Sequence, residues 1–201
     1  MMQKKIELLR KTGHIHQVAD VTPIEYREGR ADKLSAWQVK NGPLSFTVMQ
    51  GKGMDLSELS YKGVNFSFLS KPGLQGRNQY DTNGQEALRS IMGGMLFTCG
   101  LENICAVYQN GETQYPMHGR IRTTPAEHTA VRTRWTSEGY EMELYGEMRE
   151  AELFGENLVL KRTITTIWPK KEIQIRDVIE NQGFREEPLM LLYHINGGSG
   201  G

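Results

Sequence analysis

The chain has 201 residues, 38% hydrophobic and 24% charged, enough for one globular domain with its own core. Lys and Arg total 24 and Asp and Glu total 24, a balance that lacks the basic footprint of a nucleic-acid binder and argues against an anionic membrane surface. No apolar run is long enough to span a bilayer. No signal peptide follows the charged start Met1-Met2-Gln3-Lys4-Lys5, so a cytoplasmic location is expected by default.

Residues 1–12 predict one short helix, with Ile6, Leu8 and Leu9 on its apolar side and Gly13 as its stop. His14-Ile15-His16 follows. On a strand, histidines at i and i+2 would share a face and suit a metal. No cluster of further ligands follows, so no metal and no cofactor is expected. From Val18 to Phe68 short apolar runs at 34–39, 44–49, 54–61 and 64–69 alternate with turn signals, among them Asn41-Gly42-Pro43, Gly51-Lys52-Gly53 and Lys62-Gly63. This spacing predicts an antiparallel meander in an all-β domain. Asp55, inside one of these runs, reads as a turn or edge carboxylate.

Residues 70–92 read as a long polar loop with one or two helical turns at 85–92. Arg77 and Arg89 stand where they could line a site, although solvated arginines are the commoner case. Residues 93–103 form a glycine-flanked apolar strand, and no Lys-Ser/Thr follows Gly100 to make a phosphate loop. The two cysteines, Cys99 and Cys105, lack a metal-site spacing and read as reduced and buried. From His128 onwards apolar and polar residues alternate in successive strands, with turns at Ser137-Glu138-Gly139, Pro169-Lys170-Lys171 and Gln182-Gly183. Period-two patterning, nearly without helices, means a large antiparallel β-sandwich. The last strand, 189–195, reads as central, because it is apolar and has no Pro or Lys guard. Residues 197–201, Gly197-Gly198-Ser199-Gly200-Gly201, have flexible-linker composition and are set apart from a domain at 1–196.

Two stretches carry the chemistry. Tyr115-Pro116-Met117-His118-Gly119-Arg120-Ile121-Arg122 places an imidazole between a proline turn and a glycine. Its ordinary pKa near ~6.5 suits proton transfer at neutral pH. Leu191-Leu192-Tyr193-His194-Ile195-Asn196 places a second imidazole in a strand-like apolar run, where a titratable group needs a partner or a purpose. The two rings are expected to face one concave pocket.

Together with Gly13–Val18, Gly53-Met54-Asp55-Leu56, Tyr61-Lys62-Gly63, 93–103 and 177–183, these stretches resemble the aldose 1-epimerase-like proteins of the galactose mutarotase superfamily. The motifs are weak singly and specific in their order and number. The resemblance implies an all-β, antiparallel super-β-sandwich, incomplete at its C-terminus, with a sugar pocket on its concave face. Ring opening of an aldose needs a base for the anomeric hydroxyl proton and an acid for the ring oxygen. The resemblance maps the acid onto His194 and gives His118 a positioning role. Arg120, Asn103, Tyr115 and Arg77 are its candidate substrate-binding residues. The family's base is a glutamate beyond Asn196, so this chain alone is expected to be inactive and to self-associate or take a complementing segment. Three readings remain open: a mutarotase-like epimerase, a non-catalytic carbohydrate binder and a structural fragment.

Overall fold

Alternation along the longest strands decides which face each residue shows. The structure is a computed structural model describing residues 2–76 and 84–198. Helix α1 (Met2–Thr12) ends where the Gly13 amide reaches the Leu9 carbonyl at 2.9 Å. Strands β1 (Ala19–Glu25), β2 (Ser35–Asn41), β3 (Leu44–Met49), β4 (Asp55–Tyr61) and β5 (Val64–Asn65) form an antiparallel meander in that order. Strands β9 (Glu127–Trp135), β10 (Tyr140–Ala151), β11 (Asn157–Trp168) and β12 (Gln174–Asn181) form a second sheet in the order β12-β11-β10-β9. Strand β6 (Leu96–Leu101) pairs with β13 (Met190–Ile195), and β7 (Tyr108–Asn110) pairs with β8 (Thr113–Tyr115).

Tyr140, Met142, Leu144 and Met148 of β10 point inward with Leu158, Leu160 and Ile164 of β11. They meet Val39, Phe46, Val48 and Leu56 of the first sheet in one core. Burying each large side chain contributes roughly 2 kcal/mol. Among the turns, Lys62 and Gly63 both have positive φ, +54° and +81°, the paired left-handed geometry of a tight hairpin turn.

A buried charge network ties the layers together. Arg162 stands at an inward position of β11 with its side chain wholly buried. Its Nε and Nη2 donate to the two oxygens of Asp177 at 2.9 and 2.8 Å. Nη1 donates to Asp55 Oδ1 at 2.8 Å and to the Gly53 carbonyl at 3.0 Å, and Nη2 also reaches Thr98 Oγ1 at 3.0 Å. All five guanidinium donors are used. Tyr193 of β13 closes the network by donating to Asp177 at 2.7 Å.

Several expectations are corrected here. Asp55 is no turn or edge carboxylate: it is fully buried because Arg162 and Thr98 supply its partners. His14 caps a 3-10 turn (Ile15–Gln17) that contains His16, not a strand, and His14 Nδ1 accepts from the His16 amide at 3.1 Å. The run at 64–69 forms only the short β5 and two isolated bridges, at Ser67 and Leu69. Residues 84–89 form a 3-10 helix. Cys99 is buried, and burial pushes its thiol up to about 12, but Cys105 is exposed. Strand β13 has the apolar composition of a central strand, and among the described residues one of its sides is open. It pairs on one side, with β6, and Met190, Leu192, Tyr193 and Ile195 remain exposed. No described helix is long and apolar enough to cross a membrane.

Candidate functional site

The turn after β8 is built to hold one imidazole. Pro116 starts it, and Gly119 closes it, its amide donating a hydrogen bond to the Pro116 carbonyl at 3.0 Å. Asn103, nearly buried, spends its amide on the carbonyls of Pro116 at 2.9 Å and Ala106 at 2.8 Å. It therefore braces the turn from beneath. His118 sits at φ +61°, a conformation bulky residues seldom adopt. Its backbone is pinned on both sides: the amide donates to the Cys105 carbonyl at 2.8 Å, and the carbonyl accepts from Gly100 at 3.0 Å.

The ring chemistry follows from one contact. His118 Nδ1 lies 3.0 Å from the Ile104 carbonyl. A carbonyl only accepts, so Nδ1 carries the proton of the neutral ring and Nε2 presents a lone pair. The ring stands edge-on to Phe97, centroids 5.8 Å apart. His194 of β13 lies directly opposite Phe97 of β6. Directly opposed residues of an antiparallel pair share a face. Phe97 thus connects the two histidines on one side of the β6–β13 ribbon. Tyr193, opposite Thr98, points to the other side and joins the Arg162 network. His194 itself is exposed, and its ring has no hydrogen-bond partner among the described residues.

The remaining sequence candidates gather elsewhere. Arg120 pairs with Glu102 and also reaches the Gln114 carbonyl at 3.5 Å. Tyr115 stacks on Tyr108 with centroids 5.9 Å apart. Glu102, Asn103, Tyr108, Tyr115, Glu156 and Glu187 line a cleft of about 610 Å³. The histidines are not in its wall. Asn103 links the two regions, since it lines the cleft and braces the His118 turn. Arg77 lies outside the described residues. Arg89 is an exposed surface residue paired with Glu86 at 3.3 Å. For metal, the described residues offer one cluster, Glu127, His128 and Glu147, with ligand atoms within 4.8 Å of one another. Arg149 and Tyr145 already engage its carboxylates.

A family model, "Domain of unknown function (DUF4432)", matches residues 32–199. The chain belongs to the DUF4432 family. No curated protein matches it. Among solved structures it is similar to a protein provisionally described as an aldose 1-epimerase, from Klebsiella pneumoniae subsp. pneumoniae, at 18% identity and a TM-score of 0.81. That match covers 89% of this chain and 47% of the other. It is also similar to a galactose mutarotase-like protein from Clostridium acetobutylicum, at 14% identity, a TM-score of 0.55, and coverage of 89% and 54%. The fold of this DUF4432 member is therefore the galactose mutarotase-like β-sandwich. The chain spans about half the length of the solved structures it matches.

Sequence reasoning missed Glu150, which adjoins the cleft. It ends the inward series of β10 and is 2% exposed. Oε1 accepts from the Leu101 amide at 3.3 Å, while Oε2 has no partner. Burial, helped by the charge of Glu102, pushes its carboxyl up to about 7. The readable signal was a carboxylate where the alternation of Tyr140, Met142, Leu144 and Met148 demands an apolar residue. A folded-state value above the ordinary 4.5 favours the protonated fold. The stability it contributes is full below pH 4.5 and is lost as pH rises through about 7. Glu150→Gln is therefore expected to stabilise the protein at pH 8 by on the order of 2 kcal/mol and to change little at pH 5. Urea melts at the two pH values check this. Equal effects at both would mean that Glu150 stays ionised in the fold.

Proposed function

We propose that this DUF4432 domain contributes an aldose site of the mutarotase kind, with His118 and His194 handling the protons and hydroxyls of the sugar. The observation that carries the reading is the pairing of the two imidazoles on one face through Phe97, with His118 Nε2 left as a free lone pair. A fixed lone pair accepts a hydrogen bond from a sugar hydroxyl and orients it. A solvent-facing imidazole on the neighbouring strand is a group of the kind that serves as general acid at a ring oxygen. The likeness of fold to an aldose 1-epimerase-like protein supports the same chemistry. The base is assigned to neither Asp55, which is held by Arg162, nor Glu102, which is paired with Arg120.

A non-catalytic sugar binder uses the same contacts, and two measurements separate them. Glucose and galactose should each perturb the imidazole resonances of His118 and His194 in NMR spectra. Polarimetry of freshly dissolved α-galactose and α-glucose then reads turnover. Accelerated mutarotation that falls by about 100-fold in His194→Ala supports the enzyme. Resonance shifts without acceleration support sugar binding without turnover by this chain. Sugars that move neither ring and are not turned over overturn both.

A further inference from the structure

The turn Gly51-Lys52-Gly53 joins β3 to β4 and, by composition, belongs in solvent. Lys52 is instead 2% exposed. The turn is covered by the 3-10 turn at Ile121–Thr123, and the Gly53 amide donates to the Thr124 carbonyl at 2.8 Å. In that cover Arg122 is 1% exposed. Its Nε donates to the Met117 carbonyl at 3.2 Å and its Nη1 to Ser90 Oγ at 3.1 Å. Its Nη2 is buried without a partner.

Two buried cations therefore stand in two turns that pack against each other. Burial first and Arg122 second lower Lys52 to about 8. Burial likewise lowers Arg122 to about 10. The one carboxylate that weighs on Lys52 is Asp55, whose oxygens are committed to Arg162 and Thr98. Among the described residues Lys52 forms no ion pair and its ammonium makes no hydrogen bond. Buried charges are ordinarily paired, because desolvation without a partner is costly. A guanidinium with an unpartnered buried N–H, in a turn packed on one that carries an unpaired ammonium, suits an oxyanion.

Its position relates it to the histidines. Arg122 is tied to the carbonyl of Met117, the residue before His118. Its charge acts on Cys99, and Cys99 alternates onto the same face of β6 as Phe97. Arg122 thus borders the face that Phe97 shares with His118 and His194.

We propose that Arg122 and Lys52 form an oxyanion subsite next to the two histidines, and that the ligand is an acidic aldose bearing a carboxylate or a phosphate ester. The ligand class rests on the sugar reading above. The subsite itself rests only on the two cations.

Calorimetric titration tests it with glucose, galactose, glucuronate, galacturonate, glucose 6-phosphate and inorganic phosphate as probes. An acidic sugar should bind at least about tenfold more tightly than its neutral parent, the effect of one charge-assisted contact. Lys52→Met should abolish that advantage and leave neutral-sugar affinity unchanged. Preference for the uronates assigns a carboxylate, and preference for glucose 6-phosphate assigns a phosphate ester. Equal affinity for acidic and neutral sugars overturns the inference and leaves the sugar site standing. Phosphate binding that is lost in Lys52→Met, with no sugar bound, upholds the subsite and overturns the sugar reading. No binding of any probe overturns both. Arg122→Gln repeats the test from the other cation. If it fails to fold, Lys52→Met decides alone, since it replaces an unpaired buried ammonium by an apolar chain and is expected to melt no lower than wild type.

Discussion

Replacing Arg162 by Met should cost about 3–5 kcal/mol of stability, because it leaves two buried carboxylates without their counter-charge. The side chains of Asp55 and Asp177 are 1% and 4% exposed, so water cannot take the place of the guanidinium without opening the layers. Five donated hydrogen bonds vanish together, and they hold β4, β6, β11 and β12 to one point. The loss should depend on pH with a definite sign. Burial already raises the Asp55 carboxyl above its unfolded value, and losing the Arg162 charge, which lowers it, raises it further. The variant's stability is then retained at low pH and falls as pH rises from the unfolded value through the raised one. Urea denaturation of Arg162→Met at pH 5 and pH 7 should therefore show the larger deficit at pH 7. Arg134→Met is the control. Its pair with Glu141, at 2.6 Å, involves an exposed guanidinium, and exposed pairs contribute under about 1 kcal/mol. Similar losses for the two variants would show that the Arg162 network is not what joins the layers.

Gly119→Ala is the second severe change expected. Gly119 has φ +72°, and a Cβ there would lie 1.8 Å from the Gly100 carbonyl oxygen and 2.7 Å from that of Asn103. Both obstacles are backbone, so no rotamer relieves the contact. Either the turn or β6 must move, and His118 moves with the turn. The expected cost is about 3 kcal/mol or more, from left-handed strain plus overlap. Gly63→Ala separates the two causes. Gly63 has φ +81° with nothing within 4 Å of an added Cβ, so it should lose only the conformational part, about 1–2 kcal/mol. Thermal melts give both values, and the His118 imidazole resonance reports the displacement. An unshifted resonance with a small loss would mean that the turn yields without disturbing the ring.

Side chains from distant parts of the chain made the candidate site only partly legible. His118 and His194 stood out because each puts a titratable ring in a turn-rich or apolar stretch. What joins them is Phe97, an unremarkable apolar residue of β6, through its register with β13. Asn103 was selected for ligand binding, yet its amide braces the His118 turn. Tyr115 lines the acidic cleft and Arg120 pairs with Glu102 of its wall, although both adjoin His118 in sequence.

The sequence by itself determined the sandwich. The alternation from His128 to Asn181 assigns inward and outward faces in β9 to β12 without any knowledge of neighbours, because a strand's side-chain period is local. The glycine turns set the hairpins for the same reason. The terminal helix and its Gly13 stop are local too. Tertiary structure alone decided which charges are buried. Lys52 sits in a Gly-Lys-Gly turn that nothing nearby in sequence covers, and Thr124 and Arg122 arrive from some seventy positions later to enclose it. Asp55 finds Arg162 across 107 positions. Burial of a polar group depends on what packs over it, and that is a property of the assembled layers, not of the segment that carries the charge.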